Sequence, residues 1–276
     1  MRRKQNKRLV AVAMILLAIG FLFPLYWMGT MSFKTTTEIT LNPFGLPAGW
    51  KLTNYVDAFA KMDFLPALKN SVLYAFGTCT MTVLFGAMAA YAICRMGWIH
   101  GERVRGFFML GLVIPIQLVM IPLYTIVFKL GIKGTAWAVI LPYTAFQLPS
   151  TILMLYAFLR GIPHELDEAA KLDGCGPYRC FTHIILPVLK PAIATRFVLI
   201  FIDIWNEYNL ALILANTNGT RPLTIELNKF FGTLIGIPNW GQIGAAMILT
   251  SLPAIIVYCI GSSKIEDALC AGAILK

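Results

Sequence analysis

The chain has 276 residues, of which 58% are hydrophobic and only 13% charged, with 23 Lys plus Arg against 13 Asp plus Glu. Soluble domains carry about a quarter charged residues, so this balance argues against a water-soluble fold and for a membrane protein. A formal charge of +10 would also suit a nucleic-acid binder, but the basic residues lie at the ends of apolar runs, which favours a lipid setting.

The chain opens with MRRKQNKR and then LVAVAMILLAIGFLFPLYWMG, the order of a signal peptide. A signal core needs only ~7–15 apolar residues, so the longer run reads as a retained first span over residues 9–31. Residues 32–69 mix Pro, Gly, Thr and amphipathic pieces without a crossing-length run, and read as an external lid or docking surface.

Further spans are expected at about 70–94, 107–128, 136–159, 192–214 and 243–262, giving an all-α integral membrane protein with six transmembrane helices. The core is therefore 70–262, followed by a tail over 263–276. An even count places both termini on one side. If that side also holds the loops around 95–106 and 160–196, it carries fifteen Lys and Arg against eight opposite, which makes it cytoplasmic. Pro115, Pro122, Pro142, Pro149, Pro187, Pro191 and Pro253 fall in or beside spans. Their bends either fit helices around one another or form a wall that flexes around a pathway.

The loop 161–187 is the most informative segment. Gly161-Ile162-Pro163 breaks span four, and a short helix follows with Glu165, Asp167 and Glu168 in its first turn, where the helix dipole favours carboxylates by ~0.3–1 kcal/mol each. Ile162, Leu166, Ala169 and Ala170 form a narrow apolar stripe, and Gly174 suits a left-handed stop. A second piece starts at Gly176-Pro177, carries Phe181, Ile184 and Ile185 on one face, and ends at Leu186-Pro187. An interfacial helix resting on anionic headgroups should be basic, whereas this one holds Glu165, Asp167, Glu168 and Asp173. A slim acidic helix instead suits a basic groove on a partner protein.

Here a resemblance becomes specific. Glu168-Ala169-Ala170, three residues, Gly174, nine residues, Ile184, one residue, and Leu186-Pro187 resemble the signature of the membrane subunits of bacterial ABC importers. The fuller EAAKLDGCGPYRCFTHIILPVLKP, with WNEYNLALI in span five, is similar to the carbohydrate-uptake branch, in particular its maltose-type and glycerol-phosphate-type permeases. The likeness extends through Asn54-Tyr55 and Asn70-Ser71 to the ending AGAILK, which departs from the family's usual Ala-Gly-Ala-Val-Lys-Gly.

The resemblance implies a type I importer permease in the bacterial cytoplasmic membrane, whose first span embraces a second permease. It also implies two ATPase subunits and an extracytoplasmic sugar-binding protein. Leu166, Asp167, Glu168, Ala169, Ala170, Asp173, Gly174, Leu186 and Pro187 would form a coupling loop seated on an ATPase subunit, with Glu168 paired to a basic residue there. The sequence holds no G-x-x-x-x-G-K-[ST] loop, so ATP and its Mg²⁺ are expected on the partner and no cofactor is expected here.

Span five carries Asp203, Trp205, Asn206, Glu207, Tyr208 and Asn209. A carboxylate at mid-membrane costs at least ~2.5 kcal/mol, so these groups must face protein or water. Trp205, Asn206, Glu207 and Tyr208, with Gln117, Tyr143 and Gln147, are candidates for a solute pathway; contact with the partner permease or bonding between helices is the competing reading for span five. An ion-coupled carrier with Asp203 or Glu207 as its ion site is the alternative function. His164-Glu165-Leu166-Asp167-Glu168 lacks the second histidine of a zinc hydrolase, no serine-histidine pair on neighbouring spans supports a hydrolase, and the six cysteines, which include no C-x-x-C, read as packing residues.

Overall fold

The computed structural model describes residues 2–231 and 238–274, with side chains at 7, 9–231 and 238–262. The described residues form helices and connecting turns and no strand, as a lipid-embedded chain requires when each backbone N–H and C=O must be satisfied internally. In chain order the helices are α1 (Arg2–Met31), α2 (Thr36–Leu41), α3 (Thr53–Lys61), α4 (Phe64–Arg95), α5 (Gly101–Leu110), α6 (Ile116–Lys129), α7 (Trp137–Arg160), α8 (Glu165–Leu172), α9 (Pro177–Cys180), α10 (Leu186–Asn206), α11 (Asn209–Leu214), α12 (Leu223–Leu227) and α13 (Trp240–Ile274). Among the described residues five stretches are long and apolar enough to cross a membrane: Leu9–Met31, Phe64–Arg95, Trp137–Arg160, Pro177–Asn206 and Trp240–Ser262.

The expected third span is not one helix. Pro115 disfavours helical backbone at Ile114 and is itself extended (ψ 130°), so 107–128 divides into the end of α5 and the 14-residue α6. Span two begins earlier than expected, at Phe64, and span five is interrupted after Asn206. The tail over 263–276 begins as backbone helix of α13; its side chains and the ending AGAILK from Leu275 onward lie outside the described residues.

The chain forms two compact units. The first comprises residues 1–64 and 226–253. Residues 9–26 of α1 are exposed, so their burial must come from lipid or another protein. Beyond α1 the fully buried Lys34 donates to the carbonyls of Asn42 (2.8 Å) and Gly45 (2.6 Å), closing the turn around α2. Asn54 donates to the carbonyls of Ser32 and Lys34, both at 2.9 Å, and Tyr55 bonds Ser32 at 2.8 Å. The Asn54-Tyr55 pair thus staples α3 to the end of α1.

The second unit comprises residues 65–225 and 254–276. α4 turns a row of small residues inward, among them Ser71, Ala75, Thr78, Cys79, Thr82, Gly86, Ala87 and Ala90, which lets neighbouring helices approach closely. A Cβ at Gly86 would stand 2.7 Å from Thr151 Cγ2 on α7, and one at Gly77 2.7 Å from Ile140. Asn70 donates to the carbonyls of Gly219 (2.9 Å) and Arg221 (3.1 Å), while Ser71 accepts from Leu223 N at 2.9 Å. The Asn70-Ser71 pair therefore clamps the turn that leads into α12. Toward the other end of the helices, Tyr91, Ile93, Ile152, Leu155, Leu159, Ile185 and Leu189 pack into the core beneath α8 and α9.

Gly86→Val should force α4 and α7 apart, and overpacking of this kind costs about 1–3 kcal/mol. Unfolding of the purified protein in detergent should show that loss; a change under about 0.5 kcal/mol would contradict the close approach.

Candidate functional site

The loop after α7 folds as a hairpin fixed by one buried arginine. Arg95 is the last residue of α4, its side chain is 1% exposed, and it pairs with Asp167 of α8 at 2.6 Å. Its other terminal nitrogen donates to the carbonyls of Leu159 and Ile162, each at 2.5 Å. Those carbonyls belong to the end of α7 and the turn after it, where helical partners run out. Nη1 also meets His164 Nδ1 at 3.1 Å, and because arginine only donates, Nδ1 is the acceptor. A single planar guanidinium thus joins α4, the end of α7 and the start of α8. Removing one partner from such a buried pair costs about 3–5 kcal/mol.

This pairing fixes which face of α8 is free. Asp167 and Ala170 are buried, one helical turn apart, whereas Glu165, Leu166, Glu168, Ala169, Lys171, Leu172 and Asp173 are exposed. The apolar stripe of Ile162, Leu166, Ala169 and Ala170 is divided: Ala170 is buried and Ile162 packs against the core, while the Arg95 pair turns Asp167 inward and leaves Leu166 and Ala169 outside. Gly174 takes φ 75°, with its N–H and that of Cys175 bonded to the carbonyls of Lys171 and Ala170, which closes α8. Leu172 and Tyr178, 90% and 79% exposed, stand on either side of this turn. Tyr91 donates to the carbonyl of Pro177, and Cys180 donates to Asp167, holding α9 from below.

Leu186-Pro187 does not end a helix. Phe181–Ile185 form a π-helical turn that runs directly into α10, with Leu186 N–H bonded to Phe181 C=O five residues back. The wider turn shifts the register just where Pro187 has no donor to give, so the helix continues through the proline. Leu186 is half-buried beside the hairpin core and Pro187 is exposed.

The span-five candidates separate. The chain leaves helical geometry at Glu207 (ψ 127°), and the Glu207 carboxylate accepts from Leu210 N (2.8 Å), Ala211 N (3.0 Å) and Tyr143 OH (2.6 Å). Glu207 and Tyr143 thus cap the start of α11 across the break. Trp205 is buried and stacked on Phe201 with ring centroids 5.2 Å apart. Asn206 and Gln117 are exposed, Tyr208 is half-buried, and Gln147 sits between two charges, donating to Asp203 at 3.3 Å and accepting from Arg196 at 2.6 Å.

Arg196 is the second residue that sequence reasoning missed. Counted above with the cytoplasmic loop, it lies mid-way along α10, buried, and donates also to Ser150 (2.5 Å) and Thr151 (2.8 Å) of α7. Its removal from the loop leaves fourteen basic residues against eight, with the same sign of bias. Among the described residues no group of His, Cys, Asp and Glu is placed to hold a metal ion.

Residues 82–263 match the family model described as "Binding-protein-dependent transport system inner membrane component". The chain belongs to this family. It is a permease subunit of an ABC importer, a multi-pass protein of the cytoplasmic membrane, and a transport subunit rather than an enzyme. It is 31% identical over 271 residues to a diacetylchitobiose uptake system permease of Streptomyces coelicolor, covering 97% of this chain and 89% of the relative. It is 32% identical over 278 residues to a trehalose/maltose transport system permease of Thermococcus litoralis, covering 99% of each. In fold it matches a chain from the crystal structure of a bacterial ABC transporter involved in import of the acidic polysaccharide alginate, with TM-score 0.81 and 21% identity, covering 95% of this permease and 98% of that chain.

Glu207→Ala should leave two N–H groups and a hydroxyl without their acceptor, at about 1–3 kcal/mol for each group left unsatisfied. Unfolding of the permease in detergent should register a loss of about 2 kcal/mol or more, with Glu207→Gln falling between. An unchanged stability with altered solute affinity would instead assign the carboxylate to the solute.

Proposed function

We propose that this permease serves a sugar importer, crosses the membrane six times with both termini cytoplasmic, and seats the α8–α9 hairpin on a separate ATPase subunit. The assembly would hold a second permease, two ATPase subunits and an extracytoplasmic sugar-binding protein. The observation that carries the reading is the hairpin: Glu168, Ala169, Leu172 and Asp173 lie exposed on a helix whose opposite face is fixed by the buried Arg95–Asp167 pair. A fixed helix with exposed acids and apolar side chains suits a basic groove with an apolar floor.

The α5–α6 pair supplies the sixth crossing in this reading, since Gly101–Lys129 contains enough residues to span the ~30 Å layer despite the break at Pro115. Sugar is the class carried by relatives aligned over nearly the whole chain. Of the expected coupling residues, Leu166, Glu168, Ala169, Asp173 and Gly174 form the contact face, while Asp167, Ala170 and Leu186 hold it from within and Pro187 belongs to the return into α10. The pathway would be lined by Asn206, Tyr208 and Gln117, with Gln147, Tyr143, Trp205 and Glu207 supporting it. Power comes from differential binding: ATP favours the closed ATPase pair, and the hairpin imposes that preference on the spans. The ion-coupled carrier has no support from the family, and both Glu207 oxygens already accept hydrogen bonds from α11 or Tyr143.

Glu168→Lys should leave membrane insertion intact while abolishing the stimulation of ATP hydrolysis that ligand-loaded binding protein gives the assembled complex. A cysteine at Ala169 should cross-link to the ATPase. Normal stimulation in Glu168→Lys, or cross-links to lipid alone, would count against the reading.

A further inference from the structure

The Arg95 guanidinium stands where three elements meet and bonds residues at the end of α7, in the turn after it and in α8. We infer that Arg95 is a positioning residue for energy coupling: it stiffens the joint between the hairpin and α4 and α7, so that displacement of α8 is delivered to the spans rather than absorbed by the turn at 161–164. The inference rests on the reading of α8 as the ATPase contact and adds what makes that contact productive.

Three observations carry it. The link between α7 and α8 is only four residues, Gly161 to His164, including a glycine and a proline, and its backbone bonds tie Gly161 and Ile162 back to α7 and His164 forward to α8 without joining the two helices. Without an external tie α8 would pivot there. Arg95 removes that freedom by bonding both sides of the pivot: the Leu159 and Ile162 carbonyls before it and His164 and Asp167 after it. The fork is also rooted in α4, which turns a buried face into the core along much of its length, so a push on α8 has a direct route to a second crossing. Lysine, a point charge on a flexible stem, cannot span four acceptors in this planar arrangement.

The second feature is orientation. Asp167 is the one carboxylate of the first turn that is buried, and its pairing with Arg95 sets the rotation that leaves Glu168 and Leu172 outward. Side chains three and four apart share a helix face, so a helix released from this pair and turned to bury Leu166 beside Ala170 in place of Asp167 would redirect Glu168. Arg95 therefore sets both the stiffness of the joint and which residues meet the partner.

The test uses the full complex of both permeases and the ATPase in proteoliposomes, with binding protein purified in its ligand-loaded form. Four readouts are taken: the Ala169→Cys cross-link to the ATPase, basal ATP hydrolysis, its stimulation by loaded binding protein, and amide exchange over residues 159–172. Arg95→Gln should keep assembly and the basal rate, weaken the cross-link, accelerate exchange at least tenfold, and reduce stimulation at least tenfold. Arg95→Lys should recover part of the stimulation, and Asp167→Asn should resemble Arg95→Gln. Unchanged exchange and stimulation would overturn the inference, as would stimulation falling only in proportion to the amount of assembled complex. If Arg95→Gln does not assemble, Arg95→Lys and Asp167→Asn decide by the same readouts. A failed cross-link in the otherwise native protein would instead reject α8 as the contact, and the coupling role of Arg95 with it.

Discussion

A chain in lipid has no water to satisfy a backbone group that leaves a helix, and this constraint governs where the permease places its charges. At two interruptions a side chain takes over. Arg95 supplies donors to the carbonyls of Leu159 and Ile162 where α7 ends, and Glu207 supplies acceptors to the amides of Leu210 and Ala211 where α11 begins. At Pro187, where no donor exists, a π-turn shifts the register and the helix runs on. Charges in or beside spans thus have a structural task before any functional one.

That ordering changes how the polar residues of α10 and α11 are understood. A carboxylate in a span suggests an ion or solute site, but Glu207 has its oxygens committed to two amides and a tyrosine. Asp203 and Arg196, two turns apart on α10, are joined through Gln147 of α7 in a network completed by Ser150 and Thr151. The network bonds α10 to α7 by directional contacts, where lipid-facing apolar packing would leave the two helices free to slide. Relative motion of these helices during transport has to respect or break those bonds.

The sequence made some of this legible and some not. Long apolar runs announced α1, α4, α7 and α13, and the turn at Gly174 followed from glycine's access to left-handed backbone, observed at φ 75°. The acidic hairpin, too, stood out by composition. Its inward and outward faces did not, because they depend on Arg95, 72 residues before Asp167, and no local pattern connects the two. Periodicity grouped Ile162, Leu166, Ala169 and Ala170 as one stripe; the buried ion pair at Asp167 divides it, with Ala170 inside and Leu166 and Ala169 outside. Pro115 and Pro187 were both visible, yet one splits a span and the other is absorbed, since the first leaves Ile114 non-helical while the second follows a π-turn. Arg196 read as a loop residue because its mid-span burial relies on three polar groups of α7.

The central claim is that the α8–α9 hairpin moves as a rigid part of the spans when a separate subunit binds ATP. The most direct measurement is the distance, by pulsed electron spin resonance in an otherwise cysteine-free complex, from a label at Leu172→Cys to one on the corresponding hairpin of the second permease. The distance should shorten when ATP is bound and return when it is hydrolysed. A distance indifferent to nucleotide, in a complex that still transports, would contradict the account.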